Sequence, residues 1–147
     1  MVTEVGPLQS NELDAANAIY AELAFQPSTA NDPTFALKDE EQLIALGRYQ
    51  CHEDGTLELG GFWVDPARRG EGLARVMVQR VLAALPRDQE AWCIAFTHLA
   101  DFYCSFGMKP AELDSDMPES IRAKLRFCTE QAERGNYHAT VPLRLHT

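Results

Sequence analysis

Residues 57–74, read LELGGFWVDPARRGEGLA in one-letter code, constrain this chain more than any other stretch. An apolar run stops at Asp65-Pro66. Glycines follow at 70 and 72, and then apolar residues at 73, 74, 76, 77, 78, 81, 82, 84 and 85. The order predicts a strand, a tight turn and a helix over 72–85 that is buried on much of its circumference. A glycine turn entering a helix presents unpaired backbone N–H groups and the positive end of the helix dipole. Gly70 and Gly72 carry no Cβ, so a ligand can approach the backbone, and Arg68 and Arg69 add positive charge. The combination suits a phosphate or pyrophosphate, although the same glycines could serve the turn alone. Two phosphate motifs are excluded: G-x-x-x-x-G-K-[ST] is absent, and Arg75 stands where G-x-G-x-x-G needs its third glycine.

The rest of the chain alternates between the two periodicities. Residues 2–8 read as a first strand. Ser10 or Asn11 is a candidate cap for a helix over 11–24, with Leu13, Ala16, Ile19, Tyr20 and Leu23 on one stripe. A breaker-rich loop leads to a short strand near 34–37. Strands over 42–51 and 56–64 flank an Asp54-Gly55 hairpin turn; Cys51 and His52 would face opposite ways at its base. A strand over 90–95, a short helix over 98–106 closed by Gly107, a helix from Pro118-Glu119 to Gly135 and a strand over 137–145 complete the order. Interleaved strands and helices predict an α/β class with one mainly antiparallel sheet and helices packed on it. The length of 147 residues fits a single domain over 1–147. Thirteen basic against 22 acidic residues give a net charge of −9, which disfavours nucleic acid and anionic membranes and favours a cationic small substrate. Four cysteines without a C-x-x-C pair and four dispersed histidines predict reduced thiols, a cytoplasmic setting and no metal site. Glu4 near the start and the lack of a long apolar run argue against a leader or a membrane span.

Val64-Asp65-Pro66 followed by Arg69-Gly70-Glu71-Gly72-Leu73-Ala74 resembles motif A of the GNAT superfamily of acyl-CoA N-acyltransferases, whose signature is [QR]-x-x-G-x-[GA]. Some thirty residues on, Phe102-Tyr103-Cys104-Ser105-Phe106-Gly107-Met108 resembles motif B, F-Y-x-x-x-G-F, with methionine in the last place. An asparagine that many members carry seven residues before the motif B tyrosine is Phe96 here. The resemblance spans about residues 56–110.

It implies the GNAT fold, a single mixed sheet with helices on both faces, and transfer of acetyl from acetyl-CoA to a primary amine. Cys104 stands beside Tyr103 with no His and acid arranged to activate its thiol, so direct transfer in a ternary complex is expected, without a covalent acyl-enzyme. Cofactor contacts are implied for the backbone of Arg69, Gly70, Glu71, Gly72, Leu73 and Ala74 at the pyrophosphate. Phe62, Trp63 and Val64 are implied along the pantetheine arm, where the fourth and fifth strands diverge. Tyr103 aligns with the tyrosine that hydrogen-bonds the departing sulfur, and Glu58 with a general base; their plain alternatives are a core tyrosine and a solvated strand carboxylate. His98 is the other candidate base. The acceptor is expected to be a small molecule, with protein N-termini open, walled in part by residues 25–37 between Phe25 and Phe35. A homodimer is left open, and a non-catalytic CoA-binding module is the rival reading.

Overall fold

The computed structural model describes Val2, residues 4–113 and residues 116–147. Seven strands, β1 (Gly6–Pro7), β2 (Thr34–Asp39), β3 (Gln42–Cys51), β4 (Leu57–Val64), β5 (Glu90–Phe96), β6 (Lys109–Pro110) and β7 (Thr140–His146), form one sheet in the order β1-β2-β3-β4-β5-β7-β6. β2 is antiparallel to β1 and β3, β7 is antiparallel to β5 and β6, and β4 runs parallel to β5. The helices are α1 (Leu13–Glu22), α2 (Leu73–Ala84), α3 (Ala100–Cys104) and α4 (Glu119–Glu133). This is the mixed sheet that the alternating periodicities predict. By packing, the chain divides into two compact units, Met1–Gln50 with Gly61–Leu85 and Cys51–Gly60 with Pro86–Thr147.

In the first unit, Ala16, Tyr20, Ala36, Leu43 and Leu46 form a buried cluster, against which Trp63 and Phe25 pack. Tyr20 donates its hydroxyl proton to the Gly61 carbonyl at 2.8 Å, under the Arg48 guanidinium 4.3 Å above its ring. Burial pushes the Tyr20 phenol up to about 12. Phe62 turns the other way, onto Gly47: a Cβ there would stand 2.7 Å from the Phe62 ring and 3.3 Å from Val81 of α2. Neighbouring strand residues thus serve α1 on one face and α2 on the other. The loop before β2 is pinned rather than open. Asn17 exchanges two hydrogen bonds with the Ser28 backbone, at 2.7 and 2.9 Å, and Arg48 donates to the Ser28 hydroxyl at 2.7 Å.

In the second unit, Trp92, Met117 and Ile121 form a buried cluster joined by Ile94 and Leu125. Asp54 in the β3–β4 turn accepts from Thr56 N–H at 3.0 Å, from the Ser120 hydroxyl at 3.1 Å and from Ser120 N–H at 3.3 Å, so it caps α4 from another part of the chain. These bonds, Thr56 first, pull its carboxyl from 3.8 down to about 2. Replacing a cap costs about 1 kcal/mol, so Asp54→Ala is expected to be less stable by that amount at neutral pH. A carboxyl with a depressed native pKa contributes above its unfolded value and is lost as pH falls through the native one. The stability gap between variant and wild type, measured by urea unfolding, should therefore close between pH about 4 and about 2.

Several local expectations change. The cap before α1 is neither Ser10 nor Asn11. A 3-10 turn over Ser10–Glu12 precedes the helix and moves the capping box upstream to Gln9, whose N–H donates to Glu12 at 2.8 Å. The first strand shrinks to Gly6–Pro7 with a bridge at Val2; Thr3 lies outside the described residues. α2 buries one stripe, Met77, Val78 and Val81, and not most of its circumference: Val76 is 41% exposed because only one side of the helix meets the sheet. The 98–106 helix is a 3-10 turn at Thr97–Leu99 running into α3, and β6 is unforeseen.

Candidate active site

In the first unit, β4 ends at Val64 and Asp65 caps a 3-10 turn by accepting from Ala67 N–H at 3.0 Å, with Pro66 at its first position. Gly70 and Gly72 both adopt the left-handed region, at φ of +86° and +78°. Gly72 is the N-cap of α2 and has no side chain of its own with which to cap it; its carbonyl accepts the helical bond from Val76 N–H at 3.3 Å. A Cβ placed on Gly70 or Gly72 would meet nothing within 4 Å, so the approach to this terminus is open. The helix dipole and the first-turn N–H groups favour an anion at this end of α2.

The two arginines part company. Arg68 is spent on Asp39, 2.7 Å from its Nη1, and on Glu71, 3.0 Å from its Nε. Arg69 is exposed. Phe62, Trp63 and Val64 are half-buried, with the Phe62 and Trp63 rings in the packing on opposite faces of β4. Phe35 is buried beneath Arg80, 4.4 Å from its ring, and Phe25 lies 6.2 Å from Tyr20, so both ends of the 25–37 segment belong to the core.

In the second unit, α3 carries Tyr103, which is 7% exposed with its ring edge-on to Phe102 at 5.2 Å. Burial, with Cys93 adding to it, pushes its phenol far above the ordinary tyrosine value. Glu58 is 5% exposed, so the solvated-strand alternative does not hold. Its Oε1 lies 2.8 Å from His52 Nε2 and its Oε2 3.8 Å from Lys124 Nζ on α4. His52 therefore enters the site although the sequence marked it only as a neighbour of Cys51. The hydrogen bond to Glu58 raises the His52 pKa above the ordinary imidazole value. His98 is exposed, stacked on Phe96 at 6.0 Å and edge-on to His138 at 4.8 Å. Cys93 and Cys128 are buried, and burial raises both thiols, Cys128 to about 11 and Cys93 further. Neither is a ready nucleophile.

Residues 30–110, more than half of the chain, match the sequence profile of the acetyltransferase (GNAT) domain. The chain is a GNAT acetyltransferase. A sequence search of curated proteins finds no match. Solved structures share the fold of this GNAT chain over nearly its whole length. Rv2747 from Mycobacterium tuberculosis, solved in complex with CoA, is 15% identical with a TM-score of 0.69, covering 99% of both chains. The ribosomal-protein-S18-alanine N-acetyltransferase of Escherichia coli is 18% identical with a TM-score of 0.67, covering 99% of this chain and 93% of its own. Arabidopsis thaliana Naa50, solved with the bisubstrate analogue CoA-Ac-MVNAL, is 13% identical with a TM-score of 0.64, covering 99% of both chains. The activity follows from the family: acetyl-CoA-dependent N-acetyl transfer, with acetyl-CoA as cosubstrate. Among the described residues, no helix is long and apolar enough to cross a membrane.

Proposed function

We propose that this GNAT chain transfers acetyl from acetyl-CoA directly to the primary amine of a small molecule, in a ternary complex. The observation that carries the cofactor part is the glycine-opened start of α2 at Gly72. In this reading the backbone of residues 69–74 grips the pyrophosphate and the backbone of Phe62, Trp63 and Val64 pairs with the pantetheine amides. The cosubstrate supplies an acyl carbon activated by a thiolate leaving group. Tyr103 hydrogen-bonds that sulfur as charge develops on it, and Glu58 drives removal of the amine proton. A small cationic acceptor agrees with the net charge of −9, which draws cations to the surface. The S18-alanine and Naa50 structures favour a second reading, a protein N-terminus as acceptor.

The experiment is a thiol-release assay with acetyl-CoA over two acceptor panels, small amines and short peptides with free N-termini. Turnover confined to small amines is expected. Turnover on peptides alone moves the acceptor to the second reading, and binding of acetyl-CoA without turnover on either panel leaves a CoA-binding module.

A further inference from the structure

The group that meets the departing amine proton can be read from the Glu58 pair. A carboxylate can only accept hydrogen bonds, so His52 Nε2 must carry the hydrogen in its 2.8 Å contact with Glu58 Oε1. The tautomer is thereby fixed, and Nδ1 is left as the ring's accepting nitrogen. The two partners differ in access: the His52 side chain is 26% exposed, the Glu58 side chain 6%. A sealed carboxylate hydrogen-bonded to one ring nitrogen of a partly exposed imidazole is an arrangement that suits an oriented general base. Glu58 is the less accessible of the two, with His52 on its Oε1 at 2.8 Å and Lys124 3.8 Å from its Oε2.

We propose that His52 is the proton acceptor of the acetyl transfer, with Glu58 as the positioning residue that acts through it. The proposal rests on the acetyl-transfer reading above. The amine nitrogen forms its bond to the thioester carbonyl carbon, and the proton it sheds goes to His52 Nδ1. Collapse breaks the carbon–sulfur bond, and the electron pair leaves on sulfur. The sulfur gains a proton from Tyr103 or from water, and the imidazolium returns one, so protons balance over the cycle. The charged groups facing His52 are Glu58, Asp54 and Lys124. Glu58 and Asp54 favour the imidazolium; Lys124 and burial oppose it.

The test combines the pH profile of kcat, at saturating acetyl-CoA and amine, with an NMR titration of the His52 ring in wild type, His52→Gln, Glu58→Gln and Lys124→Met. His52→Gln is expected to lower kcat by about 10²–10³-fold and to remove the acidic limb, leaving acetyl-CoA affinity within about threefold. Glu58→Gln should shift both the His52 titration and the acidic limb to lower pH; Lys124→Met should shift both to higher pH. The second pair keeps the test decisive if His52→Gln folds poorly. A His52→Gln enzyme within about threefold of wild type, or a limb that ignores the NMR titration, overturns the proposal and makes the pair a structural ion pair. A wild type that turns over no amine overturns the acetyl-transfer reading itself, and His52 with it.

Discussion

Gly72→Glu is expected to abolish measurable acetyl-CoA binding, a loss of at least about 100-fold in affinity, or about 2.7 kcal/mol. Two effects add. Gly72 sits at φ +78°, where an L-residue costs about 1–2 kcal/mol, so the turn that aims the amides is strained by any side chain. The new carboxylate then projects into space that is empty within 4 Å of the Cβ position, at the positive end of α2, where a pyrophosphate would otherwise sit. Gly72→Ala separates the two: it keeps the strain, adds no charge, and is expected to weaken binding by no more than about tenfold. Titration calorimetry with acetyl-CoA checks both. Gly72→Glu binding within tenfold of wild type would mean that the start of α2 is not the pyrophosphate site.

Tyr103→Phe is expected to lower kcat by about 10–100-fold with acetyl-CoA affinity unchanged. Burial raises the Tyr103 phenol above its ordinary value and so favours the protonated form, which is the one that can donate to a departing thiolate. Phenylalanine preserves the ring and its edge-on packing on Phe102 while deleting the hydroxyl. A lost hydrogen bond is worth about 1 kcal/mol, so the melting temperature should fall by only a few degrees. Turnover that survives while the melting temperature drops sharply would make Tyr103 a core tyrosine and water the proton donor.

The parts of this site legible in the sequence are those in which backbone geometry dictates residue type. Left-handed φ at 70 and 72 requires glycine, so that turn is written in the chain, and Asp54-Gly55 marks the hairpin for the same reason. That hairpin also held the signal for His52. Its turn places 52 opposite 56, through His52 N–H to the Thr56 carbonyl at 2.9 Å, and 56 and 58 share a face, so His52 is diagonal to Glu58. The burial of Glu58 was not legible, because Lys124 arrives from a helix 66 residues later, and only tertiary packing separates a sealed carboxylate from a solvated one. The charge attributed to Arg68 failed similarly: Asp39, 29 residues upstream, neutralises it. β6 was invisible because two residues, one of them proline, carry no periodicity. Val76 shows the remaining limit, since apolar character does not say which side of a helix a sheet will cover.

Direct acetyl transfer is tested most plainly by one mass-spectrometric experiment. Protein and acetyl-CoA are mixed in equal amounts, the intact protein mass is recorded, a small primary amine is added, and both masses are recorded again. The expected result is an unmodified protein at both stages and one acetylated amine for each CoA released. An acetyl group on the protein before the amine is added, or acetyl-CoA left intact with every amine and peptide offered, would contradict it.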